Sequence, residues 1–112
     1  MLRKRKKERM GVKEVVREFP GHRSWVRKHE CIIASKHQCD GGIEFAHVRK
    51  GTDGGEGLKP HDKWGVPMCH RGHALQHQIG EPAFEIKFGV NLKILAEEFA
   101  KNSPHKHKWE NQ

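Results

Sequence analysis

Apolar residues recur along the chain at two different spacings, and each change of spacing marks a new element. Val12, Val15, Val16 and Phe19 stand at roughly helical intervals until Pro20-Gly21 breaks the pattern, which predicts a short helix or an extended segment. Ser24 is a plausible N-cap for a helix from Trp25 to His29. The run Cys31-Ile32-Ile33-Ala34 suits a strand, Asp40-Gly41-Gly42 suits a turn, and Ile43 to Val48 suits a second strand, so the spacing predicts a β-hairpin. Alternation in that second strand puts Ile43, Phe45 and His47 on one face and Glu44, Ala46 and Val48 on the other.

A long glycine-rich loop follows from Arg49 to Lys63, and Trp64 to Met68 returns the chain to the core. A histidine-bearing helix then runs to Gly80. Pro82 opens another helix through Phe88 that Gly89 stops. Asn91 can cap a last helix whose Leu92, Ile94, Leu95, Phe99 and Ala100 form an apolar stripe, ending near Asn102-Ser103-Pro104. The stripe reads as core rather than as a cofactor site. His105 and His107 lie in a polar tail. The fold class is therefore α+β.

The chemistry concentrates in Pro67 to His77, where Cys69, His70, His73 and His77 fall close together. His73 and His77 are four apart, so a helix projects both imidazoles from one face, which is a metal-ligand spacing. At 112 residues and 34% hydrophobic content the chain forms one small domain with appendages and has little material for a core, so it needs a staple. The three cysteines cannot all pair internally and no hydrophobic leader precedes them. Reduced cysteines acting with histidines as zinc ligands fit better than a disulfide framework. No stretch is long enough to cross a bilayer, so a soluble protein is expected.

Lysine and arginine total 22 against 14 acids, a net charge of +8, which makes nucleic acid the first partner to consider. A membrane surface fits less well, because the basic residues do not lie opposite a continuous apolar helical face. The arm from Met1 to Arg9 carries Arg3, Lys4, Arg5, Lys6, Lys7 and Arg9 against Glu8 alone, so it is expected to be disordered when free and to bind phosphate. Arg49, Lys50, Lys59, Lys63 and Arg71 are further candidate nucleic-acid contacts. The glycines from Gly51 to Gly57 resemble a phosphate cradle, but no following Lys-Ser or Lys-Thr opens a helix, so a nucleotide cofactor is not expected.

Cys31 and Cys39, Phe45-Ala46-His47-Val48-Arg49, the run from Gly57 to Cys69 and the run from His73 to Glu81 together resemble short phage and prophage proteins of the HNH, or ββα-metal, nuclease superfamily. The resemblance spans roughly Arg23 to Pro104. It implies a zinc-stapled ββα core over residues 22–104 with flanking helices, preceded by a basic arm (1–21) and followed by a polar tail (105–112). It also implies a metal-dependent DNA endonuclease of the bacterial cytoplasm, serving phage recombination, DNA processing or packaging; the sequence leaves the oligomeric state, monomer or homodimer, open.

By the same resemblance His47 is the general base that activates water, with one ring nitrogen fixed by a carbonyl. A group titrating near pH 7 suits that task. Without the resemblance, His47 reads as a core histidine. His77, with His73, matches the helix ligands of a catalytic cation (Mg²⁺, Mn²⁺, Ni²⁺ or Zn²⁺). The structural zinc falls to Cys31, Cys39, Cys69 and a histidine, His73 first and His70 second, because Gly72 stands where many relatives carry the second ligand of the helix start. Ala46 replaces a frequent acidic residue, and the usual asparagine is missing near Trp64. Asp62 is the candidate to replace it at the catalytic metal. Two alternatives use the same residues: a non-catalytic zinc module that binds DNA, and a zinc-stabilised protein-interaction domain.

Overall fold

The structure, a computed structural model, describes residues 16–53 and 59–111. The basic arm with Arg3, Lys4, Arg5, Lys6 and Lys7 and the middle of the glycine-rich loop lie outside the described residues. Among the described residues the order is α1 (Pro20–Val26), β1 (Ile43–His47), β2 (Gly65–Cys69), α2 (His70–Ile79), α3 (Glu81–Phe88), α4 (Leu92–Asn102) and α5 (His107–Glu110). The α+β class holds: one two-stranded sheet and five helices, with β1, β2 and α2 forming a ββα unit. No helix among the described residues is long and apolar enough to cross a membrane.

The sheet is not the expected hairpin. β1 pairs antiparallel with β2, on the far side of the long loop, with Ile43 opposite Cys69 and His47 opposite Gly65. The segment after Cys31 is a run of turns, in which Ala34 N–H donates to the Cys31 carbonyl (3.0 Å) and Lys36 N–H to that of Ile33 (2.9 Å). Bonds of this i to i+3 kind shorten the chain where a strand would extend it. The segment still touches the sheet, since Ile32 N–H donates to the Pro67 carbonyl at 3.1 Å.

The alternation read for β1 has a physical outcome on each face. Ala46 and the following Val48 are fully buried with Val66, Met68, Ile33 and Phe84 in the core. Phe45 and His47 face the other way, their ring centroids 5.0 Å apart and edge to face. Gly65 is required there, because a Cβ at this position would lie 2.0 Å from the Phe45 ring.

α1 starts at Pro20, not after Ser24. A proline in the first helical turn lacks only an N–H that would have no helical partner, and Arg23 N–H closes the turn on the Phe19 carbonyl (3.1 Å). The expected caps hold further on. Gly80 (φ +85°) separates α2 from α3, Gly89 (φ +64°) ends α3, and Asn91 Oδ1 accepts Ile94 N–H at 3.0 Å to start α4. α4 buries Leu92 and Ala96, with Leu95 and Phe99 partly covered, while Ile94 is 53% exposed. Positions 92, 95, 96 and 99 share one helix face and position 94 falls outside it. The chain then folds back, and Trp109 of α5 packs edge-on against Phe19 and His22, with centroids 5.3 and 5.0 Å away.

Candidate metal centre and histidine cluster

Cys31 opens the turn segment, His37 and Cys39 follow in the loop before β1, and Cys69 ends β2. Their ligand atoms all lie within 4.8 Å of one another, and all three thiols are free. His37 Nε2 stands 3.3 Å from Cys69 Sγ and 3.6 Å from Cys39 Sγ, while the edge of its ring packs on Phe88. Cys31 and Cys69 are buried and Cys39 is exposed. Burial disfavours the Cys69 thiolate, but the Gly72 N–H, the backbone at Asp40, Cys39 and His37 all donate to it and draw its pKa down to about 6. The Cys39 thiol, though its residue is exposed, is pushed up to about 12 by the partial desolvation of its sulfur against the other ligands and by its bonds to Cys69 and Cys31. Three thiols and one imidazole could hold a metal ion, and this donor set is one that zinc takes in structural sites.

The fourth member is His37, and neither His73 nor His70 belongs to the group. Cys69 is the N-cap of α2, and its Sγ accepts the Gly72 N–H at 3.3 Å, which turns the thiol toward the turn segment. His70 and His73 leave the helix toward β1 instead. The spacing His37-x-Cys39 was the available signal.

His47 stands at the end of β1 with its Nε2 2.8 Å from Asp62 Oδ1. The other oxygen, Oδ2, accepts the Phe19 N–H at 2.7 Å and pairs with the Arg23 guanidinium. Asp62 is buried, which alone would raise its pKa, but the bonds from His47 and Phe19 and the charge of Arg23 outweigh burial and hold it below the ordinary carboxylate value. An ionised carboxylate can only accept, so His47 Nε2 donates, and in the neutral imidazole the lone pair then lies on Nδ1. The ring is thus fixed by a carboxylate rather than by a carbonyl. Its own backbone is held as well: Gln76 Nε2 donates to the His47 carbonyl (3.2 Å), and Glu81 accepts the N–H groups of Arg49 and Lys50 at 2.9 and 2.8 Å.

Across from His47, Glu44 Oε2 lies 2.7 Å from His70 Nδ1 and Oε1 lies 2.8 Å from His73 Nδ1. These bonds hold the Glu44 carboxyl below, and His70 above, its ordinary pKa. His73 Nε2 is 3.2 Å from His77 Nε2. His47, His73, His77, Arg49, Lys50 and Glu81 line one cleft of about 520 Å³. Lys59 borders a neighbouring hollow on the other side of His47, together with Arg23 and Arg27. Lys63 lies over the Trp64 ring at 5.4 Å, and Arg71 lines a separate hollow with Lys36 and His37.

A family model matches residues 6–105, nearly the whole chain. The chain belongs to the DUF968 family. That family is described as proteins of unknown function. Neither a curated protein nor a solved structure matches the chain.

In this DUF968 chain the structure brings His47, His73, His77, Arg49 and Lys50 to one cleft, and Cys31, Cys39 and Cys69 to another site. Asp62, expected beside a catalytic metal, is instead committed on both oxygens to His47, Phe19 and Arg23. Four residues of these networks escaped the sequence reading: His37, Arg23, Glu44 and Glu81. Of these only His37 carried a ligand spacing. The other three act through partners 26 to 39 positions away in the case of Arg23, Glu44 and the Lys50 contact of Glu81, which no local pattern reveals.

Proposed function

We propose that this chain is a metal-dependent DNA endonuclease of the HNH, or ββα-metal, type, with His47 as general base. The observation that carries the reading is the pairing of His47 with buried Asp62 on one side and its opening, on the other, into a cleft shared with His73, His77 and two cationic side chains. A histidine held by a carboxylate through one nitrogen presents the other as a proton acceptor of fixed direction. Water hydrogen-bonded to Nδ1 loses a proton to the imidazole as its oxygen bonds phosphorus, and the ester P–O bond opposite breaks. The imidazolium that forms is stabilised by Asp62, whose charge Arg23 and the Phe19 N–H maintain. Arg49 lines the cleft wall and would supply positive charge for the flanking phosphates, and Lys50, whose Nζ pairs with Glu85 at 3.1 Å, would join it by exchanging that partner for phosphate.

The helix pair fits a divalent cation. Metal–nitrogen bonds of about 2.0 to 2.1 Å at angles between octahedral and tetrahedral put two ligating nitrogens roughly 2.9 to 3.4 Å apart, and the two Nε2 atoms stand 3.2 Å apart. A cation held by His73 and His77 would neutralise charge on the phosphorane and the leaving oxygen. Zinc on Cys31, His37, Cys39 and Cys69 would serve as the structural staple, anchoring the start of α2 to the turn segment.

The deciding experiment is cleavage of plasmid DNA with Mg²⁺, Mn²⁺ or Ni²⁺ by the wild type and by His47→Ala. A positioned base is worth about 10² to 10⁴ in rate, so the variant should bind DNA normally and lose most of its cleavage. Cleavage at the wild-type rate by folded His47→Ala, or no cleavage by the wild type with any of these ions, would overturn the reading in favour of a DNA-binding module.

A further inference from the structure

Glu44 stands three residues before His47 on β1, and the two side chains border one hollow together with Arg23, Arg27 and Lys59, yet the Glu44 carboxylate is turned along the first turns of α2. The register explains the reach: Glu44 pairs with Met68, one residue before the strand becomes the N-cap of the helix. Each oxygen takes one imidazole Nδ1, Oε2 that of His70 and Oε1 that of His73. The two contacts differ in what lies behind them. His70 is 68% exposed, whereas His73 is 22% exposed and aims its Nε2 at His77 Nε2.

A carboxylate accepting from Nδ1–H fixes the tautomer of a neutral histidine, so the lone pair of His73 must reside on Nε2. That is the nitrogen facing His77 and the cleft. With the opposite tautomer His73 would direct an N–H into the position where a cation has to bind. We infer that Glu44 is the positioning residue of the catalytic metal site, orienting His73 and selecting its ligating tautomer, with His70 holding the second oxygen so that the carboxylate keeps its aim. The inference rests on the endonuclease reading above, and it extends the site to a residue outside the proposed ligand pair. Carboxylates behind metal-bound histidines tune affinity in this way, and their removal costs about 10- to 100-fold in metal binding.

The test uses the full chain carrying one zinc, titrated with Ni²⁺ by calorimetry, in the wild type, Glu44→Gln and Glu44→Ala. The wild type should bind one nickel in addition to its zinc. Glu44→Ala should bind that ion about 10- to 100-fold more weakly with its zinc content and melting transition retained, and Glu44→Gln, whose amide oxygen still accepts from Nδ1–H, should recover part of the loss. A merely structural contact would shift the melting temperature and leave nickel affinity unchanged, and that result overturns the inference while sparing the endonuclease reading. A wild type that takes up no nickel beyond the thiol site overturns the inference, and one that also fails to cleave DNA with Mg²⁺, Mn²⁺ or Ni²⁺ overturns the endonuclease reading with it. Should Glu44→Ala not fold, ¹⁵N spectra of the wild-type histidines decide: a neutral His73 protonated on Nδ1 supports the inference, and one protonated on Nε2 overturns it.

Discussion

Asp62 Oδ1 sits 2.8 Å from His47 Nε2, the carboxylate side chain 2% exposed and the imidazole 22%. The buried partner therefore anchors the accessible one. Asp62→Ala would leave the Phe19 N–H without its acceptor and Arg23 without its counter-ion, and hydrogen bonds to a charged group are worth about 1.5 to 3 kcal/mol each. Arg23 is 30% exposed and recovers part of its loss in water, so a destabilisation of roughly 2 to 3 kcal/mol is expected from chemical denaturation. Asp62→Asn is the sharper variant. Its amide can meet His47 through N–H, which requires a lone pair on Nε2 and puts the proton on Nδ1, the wrong nitrogen for a base. Cleavage should fall by more than tenfold in Asp62→Asn while DNA affinity holds; unchanged turnover would show that Asp62 does not set the tautomer.

Histidine 22 sets a separate pH limit. It is fully buried under Phe45, Trp25 and Trp109, with Nδ1 2.8 Å from Ser103 Oγ and no partner for Nε2. Burial lowers its pKa from 6.5 to about 4, the nearby Asp62 charge opposing this only in part. The unfolded chain then binds a proton between pH 6.5 and 4 that the folded chain does not. Stability from this group is complete above pH 6.5 and is lost as pH falls toward 4, to the extent of a few kcal/mol (~3). Melting temperatures across this window should drop steeply in the wild type and less in His22→Phe. Equal slopes in the two proteins would place the acid sensitivity elsewhere.

The helices after Met68 were legible because their ends are written in local chemistry: Asn91 with its free side-chain acceptor, and Gly80 and Gly89 at left-handed positions. The sheet was not. Asp40-Gly41-Gly42 resembles a hairpin turn, and Gly41 does take φ +83°, but the residues before it are drawn into turns about Cys31, His37 and Cys39 instead of extending beside β1. The true partner of β1 lies beyond the loop from Arg49 to Lys63, a separation that periodicity cannot bridge. The same limit applied to the ligands. Cys69-x-x-x-His73 has a plausible spacing, yet the N-capping bond of Cys69 to Gly72 points the thiol and the imidazole to opposite neighbours.

Charge in the arm and charge in the cleft should separate experimentally. Arg3, Lys4, Arg5, Lys6, Lys7 and Arg9 face only Glu8 in sequence, whereas Arg49 and Lys50 adjoin His47. Each phosphate contact contributes close to one unit to the dependence of log K on log salt. Deleting Met1 to Arg9 should flatten that slope and weaken binding while leaving turnover at saturating DNA nearly intact. Equal binding at every salt concentration would remove the arm from the interface.

The fourth ligand offers the last prediction, because two sets of histidines compete for it. If the ion sits on Cys31, His37, Cys39 and Cys69, then His37→Ala must lose zinc while His73→Ala and His70→Ala retain it. Cobalt makes the comparison direct, since thiolate-to-cobalt absorption reports the number of sulfurs and the visible bands report tetrahedral geometry. With one equivalent of cobalt bound at the thiol site, wild type, His73→Ala and His70→Ala should share one spectrum and His37→Ala should differ. Stability should follow the ion. The core is small, the turn segment 31–39 joins the sheet through few backbone bonds such as Ile32 to Pro67, and metal binding in such a domain is part of its folding free energy. Chelation should therefore abolish the cooperative melting transition, and Cys39→Ser should weaken it even with zinc present. A cooperative transition that survives in zinc-free Cys39→Ser would show that packing among Ile33, Val66, Met68 and Phe84 suffices to hold the domain, and that the thiols are not its staple.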